Sequence, residues 1–473
     1  MQQPRIIQGG MGAGVSAWPL ARAVSRLGHL GVVSGTALET IVAKRLQLSD
    51  VGGAMRRALE HFPIPNVARR ILDRYFNPAG KPPGKPFLLP RPFGVPCDPA
   101  LLELTVAANF VEVFLAREGH EGLIGINYLE KIQLPTLASL YGAMLAGVDY
   151  VLMGAGIPRS IPGVLDHLAA GETAQLKLNV TNQSPGKDVL LEFCPADFWG
   201  AKPPVLKRPQ FLAIVSSSTL ATTLARKSNG KVDGFIIEGP TAGGHNAPPR
   251  GPVQLTELGE PLYGPRDLPD LDQIRSIGLP FWMAGGFGHP DKCAEALHAG
   301  ATGVQVGTPF AFCEESGLDP KIKQQVIEQA RTGKTAVRVD PLASPTGFPF
   351  QVVQIQGTLS DPDIYADRPR LCDIGALREW YETPDGKLDF RCAAEPVEVY
   401  VRKGGDAAKT LGRKCLCNAL HANIGLGQVR PNGKTEPALV TAGSDLSHIA
   451  HFLKRDRQAY TAADVVQYIL GDS

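Results

Sequence analysis

The sequence predicts an α/β fold: a (β/α)8 barrel with a long insertion after its second strand and an α+β C-terminal extension. Two observations carry that prediction. Eight short apolar runs recur between residues 5 and 306 without internal alternation, as strands buried on both faces of a parallel sheet do. Helix-periodic stretches lie between most of them. Such a barrel needs about 250 residues, and the chain has 473. An open doubly wound sheet is the rival, because periodicity does not tell closure from openness.

The strands are expected in Arg5–Gln8, Leu30–Ser34, Leu123–Asn127, Tyr150–Met153, Phe211–Val215, Gly234–Glu238, Phe281–Ala284 and Gly303–Val306. Helices are expected over Ala17–Leu27, Leu101–Arg117, Leu137–Ala146, Thr219–Lys227, Pro290–Ala299 and Pro320–Arg331. Pro290 and Pro320 suit first-turn positions, where a missing N–H costs nothing. Gly147 and Gly300 suit C-terminal caps. The barrel then occupies residues 1–332, and residues 333–473 form an extension packing on it. The insertion, about residues 38–97, has helical stretches at Val51–His61 and Val67–Phe76 and ends in a proline-rich run. An excursion at about residues 171–209 reads as a hairpin of Gln175–Val180 and Asp188–Phe193 around Asn-Gln-Ser-Pro-Gly.

Two glycine signals follow the last two strands. They are Met283-Ala-Gly-Gly-Phe-Gly-His-Pro290, just before a helix, and Val304-Gln-Val-Gly-Thr-Pro309. Glycine lets main-chain N–H groups approach an anion, and a helix start adds unpaired donors. The loops after strands seven and eight of such a barrel are a frequent phosphate site. Gln8-Gly-Gly-Met-Gly-Ala-Gly14 departs from the dinucleotide spacing and suits backbone lying against a flat ring. Gly239-Pro-Thr-Ala-Gly-Gly-His245 sets a histidine in a glycine-rich loop after the sixth strand. There it is either a surface residue or a group working on a substrate against a flat cofactor.

Lys plus Arg is 48 and Asp plus Glu is 46, a balance that favours neither nucleic acid nor an anionic membrane as partner. The start of the sequence lacks a charged-then-apolar leader, and no run of about 20 apolar residues stands out. Eight thinly spread cysteines suit a reducing compartment, so a cytoplasmic location is expected.

Ile6-Ile-Gln-Gly-Gly-Met-Gly12, Gly125-Ile-Asn127, Ala242-Gly-Gly-His245, Ala284-Gly-Gly286 and Gly303-Val-Gln-Val-Gly-Thr308, in this order, resemble the nitronate monooxygenases, formerly 2-nitropropane dioxygenases. The pattern is also similar to that of the FMN-dependent enoyl-acyl carrier protein reductases, and it spans roughly residues 5–317. The resemblance implies FMN at the C-terminal ends of the strands. Gly10, Met11 and Gly12 would press backbone against the isoalloxazine, and Asn127 would hydrogen-bond it. Ala284, Gly285, Gly286, Gly307 and Thr308 would surround the phosphate. Glu238 and Gln305 would line the cofactor, Gly243 and Gly244 would bring their loop to its edge, and His245 would be the catalytic residue. Lys131, just beyond the third strand, either reaches the flavin or an acidic substrate, or is solvated.

The implied reaction is oxidation of a nitroalkane or nitronate with O2, His245 acting as base or positioning residue. The alternatives are an enoyl-thioester reductase using NAD(P)H and a flavin-binding protein without turnover. No nucleic-acid or membrane partner is implied, and a homodimer stays admissible. Two positions depart from the family pattern: Phe211-Leu-Ala-Ile-Val215 lacks a lysine, and Thr241 replaces an acidic residue before Ala-Gly-Gly-His.

The extension carries Cys372, Cys392 and the pair Cys415-Leu-Cys417, without paired C-x-x-C knuckles. Buried free thiols are expected there rather than a metal site. Residues 338–350 read as a rigid irregular segment that folds, with the cysteine-bearing tail, over the barrel mouth.

Overall fold

In the computed structural model, which describes residues 3–454 and 457–471, eight parallel strands form one sheet. In chain order they are β1 (Ile6–Gln8), β2 (Gly31–Ser34), β3 (Ile124–Leu129), β4 (Tyr150–Gly154), β5 (Gln210–Val215), β6 (Gly234–Glu238), β7 (Phe281–Ala284) and β8 (Gly303–Val306). Their spatial order is β1-β8-β7-β6-β5-β4-β3-β2. The ring closes between β1 and β2, where Gln8 N–H donates to Leu30 O at 3.0 Å and Leu30 N–H to Ile6 O at 3.1 Å. The open doubly wound alternative is thereby excluded.

Inside the ring, Ile7, Leu30, Val32, Leu152, Leu212, Ile236 and Trp282 make a dry plug. The Trp282 indole satisfies its N–H on Pro4 O at 2.7 Å, which lets so large a polar-tipped ring stay buried. The other strand faces meet the helices, which is why the runs lack alternation. Helix α1 (Trp18–Arg26) crosses from β1 to β2.

The insertion contributes α2 (Leu38–Gln47) and the helices Ala54–Glu60 and Pro65–Tyr75, which gather round α3 (Pro99–Arg117). Asp98 caps α3 by accepting from Ala100 N and Leu101 N. With 19 residues, α3 is long and apolar enough to cross a bilayer by length and composition, but here it packs against α2 and α4 (Thr136–Leu145).

Among the helices that escaped the periodicity reading are Ile161–Ala170, hidden by Pro162 and Gly163, and the short Leu271–Ser276. The hairpin pairs Ala174–Lys177 with Leu190–Phe193. Val180 leaves it, pairing in parallel with Trp380 of the extension. After β8 comes the helix Pro320–Arg331, followed by β9 (Val337–Asp340) and β10 (Phe350–Val353), an antiparallel pair. Residues 338–350 are therefore not wholly irregular, because their ends are strands that proline-rich flanks concealed.

The extension returns to the barrel twice. Gln351 N–H reaches Gly244 O at 2.9 Å, beside the extension's own apolar cluster of Phe350, Val352, Leu416 and Leu439. Helix α6 (Ala462–Leu470) packs against α1 and α5 (Pro290–His298).

Candidate functional site

A cavity of about 230 Å3 opens where β1, β3, β6, β7 and β8 end. Gly10, Met11, Gly12, Asn127, Glu238, Gly243, Gly244, His245, Ala284, Gly285, Gly286, Gln305, Gly307 and Thr308 all line it. Lys131 does not; it lines a neighbouring cavity, its ammonium 4.4 Å from the centre of the Phe348 ring. Its neighbours Leu129 and Ile132 do line the barrel cavity.

The floor depends on close approach. A Cβ on Gly10 would lie 2.4 Å from Asn127 Cβ, so only glycine lets β1 end against β3. Gly285 and Gly286 have φ of +90° and +79°, which turns the chain sharply after β7. Among the described residues, the main-chain N–H groups of Gly285, Gly286, Gly307 and Thr308 meet no protein acceptor. Two strand ends thus present free donors to one space, as an anion site requires. Gln305 adds a buried Oε1 without a partner.

His245 is held by four interactions. Gln351 N–H donates to Gly244 O at 2.9 Å, and Asn246 N–H to Pro349 O at 2.9 Å, zipping the loop to β10. The ring stands edge-on to Phe350, centroids 4.8 Å apart. Its Nε2 shares a 2.7 Å hydrogen bond with Ser344 Oγ. Burial, with the Lys131 cation second, holds the imidazole well below the usual histidine pKa, so it is neutral at pH 7. Burial alone pushes Glu238 up to about 7.

The extension supplies wall residues that no barrel motif announces, among them Phe350, Leu377, Leu416, His421 and the segment 440–443 with Asp445. Gly443 N–H donates to Thr308 Oγ1 at 2.8 Å, and Ser444 N–H to Thr241 O at 3.0 Å. Asp445 lines the cavity next to Thr308, and burial raises its carboxyl pKa. The Ser344 and Asp445 signals were present in the sequence as polar residues in loops, but nothing local tied them to a barrel more than 30 residues earlier.

The four extension cysteines converge: Cys392 and Cys415 are buried, with Cys372 and Cys417 packed beside them. Cys417 reaches the cavity wall.

His245 and the glycines of its loop and of the turns after β7 and β8 lie in the stretch that matches a family model, whereas Gly10, Gly12 and Asn127 lie outside it. The family model for nitronate monooxygenase matches residues 201–339. A Mycobacterium tuberculosis protein named (3aS,4S,5R,7aS)-5-hydroxy-7a-methyl-1-oxo-octahydro-1H-indene-4-carboxyl-CoA dehydrogenase is 32% identical over 147 residues, 30% of this chain and 36% of that one. A probable nitronate monooxygenase of Bacillus subtilis is 32% identical over 124 residues, 26% of this chain and 33% of its own length. The matched stretch thus spans about a third of each of these relatives. Among solved structures, FabK from Thermotoga maritima aligns with 17% identity and a TM-score of 0.48, covering 100% of this chain and 93% of that one. Residues 201–339, which hold β5 to β8, His245 and the glycines after β7 and β8, are thus similar to the nitronate monooxygenase family model.

Proposed function

We propose that the barrel mouth holds FMN and that the protein is a flavin-dependent oxidoreductase of the nitronate monooxygenase kind. The observation that carries this reading is the convergence, in one cavity, of four free main-chain donors from two strand ends with a neutral histidine. The residues fit the group. Gly285, Gly286, Gly307 and Thr308 would hold its phosphate, Gly10 to Gly12 would lie along its ring, and Gln305 and Asn127 would meet its polar edge. When bound, the flavin supplies the electron acceptor.

The chain's own residues do the rest. Neutral His245 takes the proton from the carbon beside a nitro group, or orients a nitronate that arrives already deprotonated. The Ser344 hydrogen bond keeps the ring facing the cavity. Phe350 and Leu416 exclude water from the reacting face, and O2 is the expected oxidant.

The test is an absorbance spectrum of the purified protein followed by anaerobic mixing. Flavin bands bleached by a nitronate, and not by NADPH or NADH, are the expected result. A colourless protein that takes up no FMN would overturn the reading.

A second reading, an enoyl-thioester reductase fed by NAD(P)H, is favoured by a basic cavity adjoining the barrel mouth. The name of the M. tuberculosis relative, a carboxyl-CoA dehydrogenase, points the same way. Rapid bleaching by a reduced nicotinamide would select it.

A further inference from the structure

Four thiols of the extension meet although three segments carry them. Cys372 lies in the loop before the strand Glu379–Glu382, Cys392 follows the strand Leu388–Arg391, and Cys415 and Cys417 open the helix Leu416–Ala422. Cys392, Ala394 and Cys415 form a buried cluster, and Cys372 and Cys417 pack against it. All four are free; Cys372 stays partly exposed, whereas Cys392 is buried. Among the described residues, no group of three or more His, Cys, Asp or Glu side chains is placed to hold a metal ion. The cluster is therefore to be read as thiol chemistry.

Cys372 and Cys392 are clamped together through their neighbours. Arg370 Nε donates to Glu395 O at 2.9 Å and Arg370 Nη2 to Ala393 O, tying the start of one loop to the turn after Cys392. Asn418 Nδ2 donates to Asp373 Oδ1 at 2.6 Å and to Cys415 Sγ at 3.4 Å, holding the third segment to the same loop.

A cation is built into that loop. Arg378 Nη2 donates to Cys372 O at 3.3 Å, its guanidinium carbon lies 3.9 Å from the centre of the Phe390 ring, and its Nε is buried without a partner. A Cβ on Gly375 would lie 2.6 Å from that guanidinium carbon, so glycine lets the loop wrap round the charge. The Cys392 thiol first, and then Arg378, hold Cys372 down at about 6, against burial and the Glu395 carboxylate. Glu395 is itself engaged by Lys403 at 3.1 Å. Cys392 is pushed well up in return, with Cys415 and Cys417 adding to the rise. At neutral pH one sulfur is thus a nucleophilic thiolate and its neighbour a protonated thiol.

We propose that Cys372 and Cys392 are a redox pair, Cys372 reacting with a hydroperoxide and Cys392 closing the product to an intramolecular disulfide. The Cys372 thiolate attacks one peroxide oxygen, the O–O bond breaks, hydroxide leaves and the sulfur becomes a sulfenic acid. Cys392 then attacks that sulfur; the S–S bond forms, and the sulfenic hydroxyl leaves with the Cys392 proton as water. Two electrons pass from the two sulfurs to hydrogen peroxide, which ends as water and hydroxide. Ala376 and Leu377 of the same loop line the barrel cavity and its neighbour, so the modification falls in the wall of the candidate site.

The test treats the reduced, full-length protein with hydrogen peroxide, alkylates the remaining thiols after denaturation and maps the peptides. The expected product is a Cys372–Cys392 linkage that dithiothreitol reverses. Cys392→Ser should instead leave a sulfenic acid on Cys372 that dimedone captures, and Cys372→Ser should leave the other thiols reduced at the same dose. In the native protein at pH 7, iodoacetamide should modify Cys372 about tenfold faster than Cys392, and Arg378→Gln should slow that reaction. Oxidation falling first on Cys97 or Cys194, the other partly exposed cysteines, would overturn the proposal. So would a different linkage, four unreacted thiols, or a metal retained by these cysteines in elemental analysis. The mapping of the unsubstituted protein decides the matter even where a variant folds poorly. Flavin content does not enter the readout, so this outcome is independent of the proposed function.

Discussion

At the scale of the residue, His245 owes its protonation state to where it sits. Burial and the Lys131 cation both disfavour imidazolium. A group with a lowered pKa stays neutral until the solution is acidic, so turnover should be flat from pH 8 down past the usual histidine range and fall only in acid. Lys131→Met removes the second cause, which raises the His245 pKa and should move that acid limb to higher pH. His245→Ala should cost about 10²–10⁴ in turnover, the span of general-base effects, with the flavin bands retained; unchanged turnover would make the protein a flavin binder only.

Asp445 is the opposite case, an acid beside the proposed phosphate cradle. Burial raises its pKa, so it becomes anionic only above the usual aspartate range. Asp445→Asn should tighten FMN binding, increasingly as pH rises through the carboxyl's titration. Fluorescence titration with FMN at several pH values measures this, and weaker binding in the variant would contradict it.

Between elements, contacts decide more than propensity does. Helices α3 and α4 cross so closely that a Cβ on Gly142 would lie 2.1 Å from Val106 O. Gly142→Val must therefore separate two buried helices, at a cost of at least about 1–3 kcal/mol, read as a lowered urea midpoint. The extension is tied down by a buried ionic group: Arg430 contacts Glu436 at 2.5 Å and Asp373 at 2.6 Å, and Arg368 also bonds Glu436. Removing one member strands the others, so Glu436→Ala should destabilise by about 3–5 kcal/mol.

The strands of the barrel were legible because double-sided burial writes itself as continuous apolarity. The pairing of Phe350 with His245 was not. That bridge joins segments about a hundred residues apart, and neither carries a periodic signal that names the other. The helix Ile161–Ala170 was missed because its proline and glycine read locally as breakers, whereas they lie within its first turn.

For the whole molecule, barrel and extension behave as one body. Thr441 Oγ1 accepts from Gly244 N at 2.7 Å, Tyr460 donates to Pro309 O at 2.7 Å, and α6 lies on α1. Truncation after Gly333 should therefore expose the apolar mouth and lower flavin retention and solubility together. A truncated protein with full turnover and unchanged substrate preference would show that the extension plays no part in the site.

By itself the sequence determined the eight-strand alternation, the glycine turns after the last two strands and the place of His245, because each is a local pattern within a few residues. Only the tertiary structure decided the closure of the ring, the neutrality of His245, the withdrawal of Lys131 to a second chamber and the intrusion of residues 440–445 beside Thr308. Those properties depend on burial and on charges brought together from distant segments, and neither exists until the chain has folded.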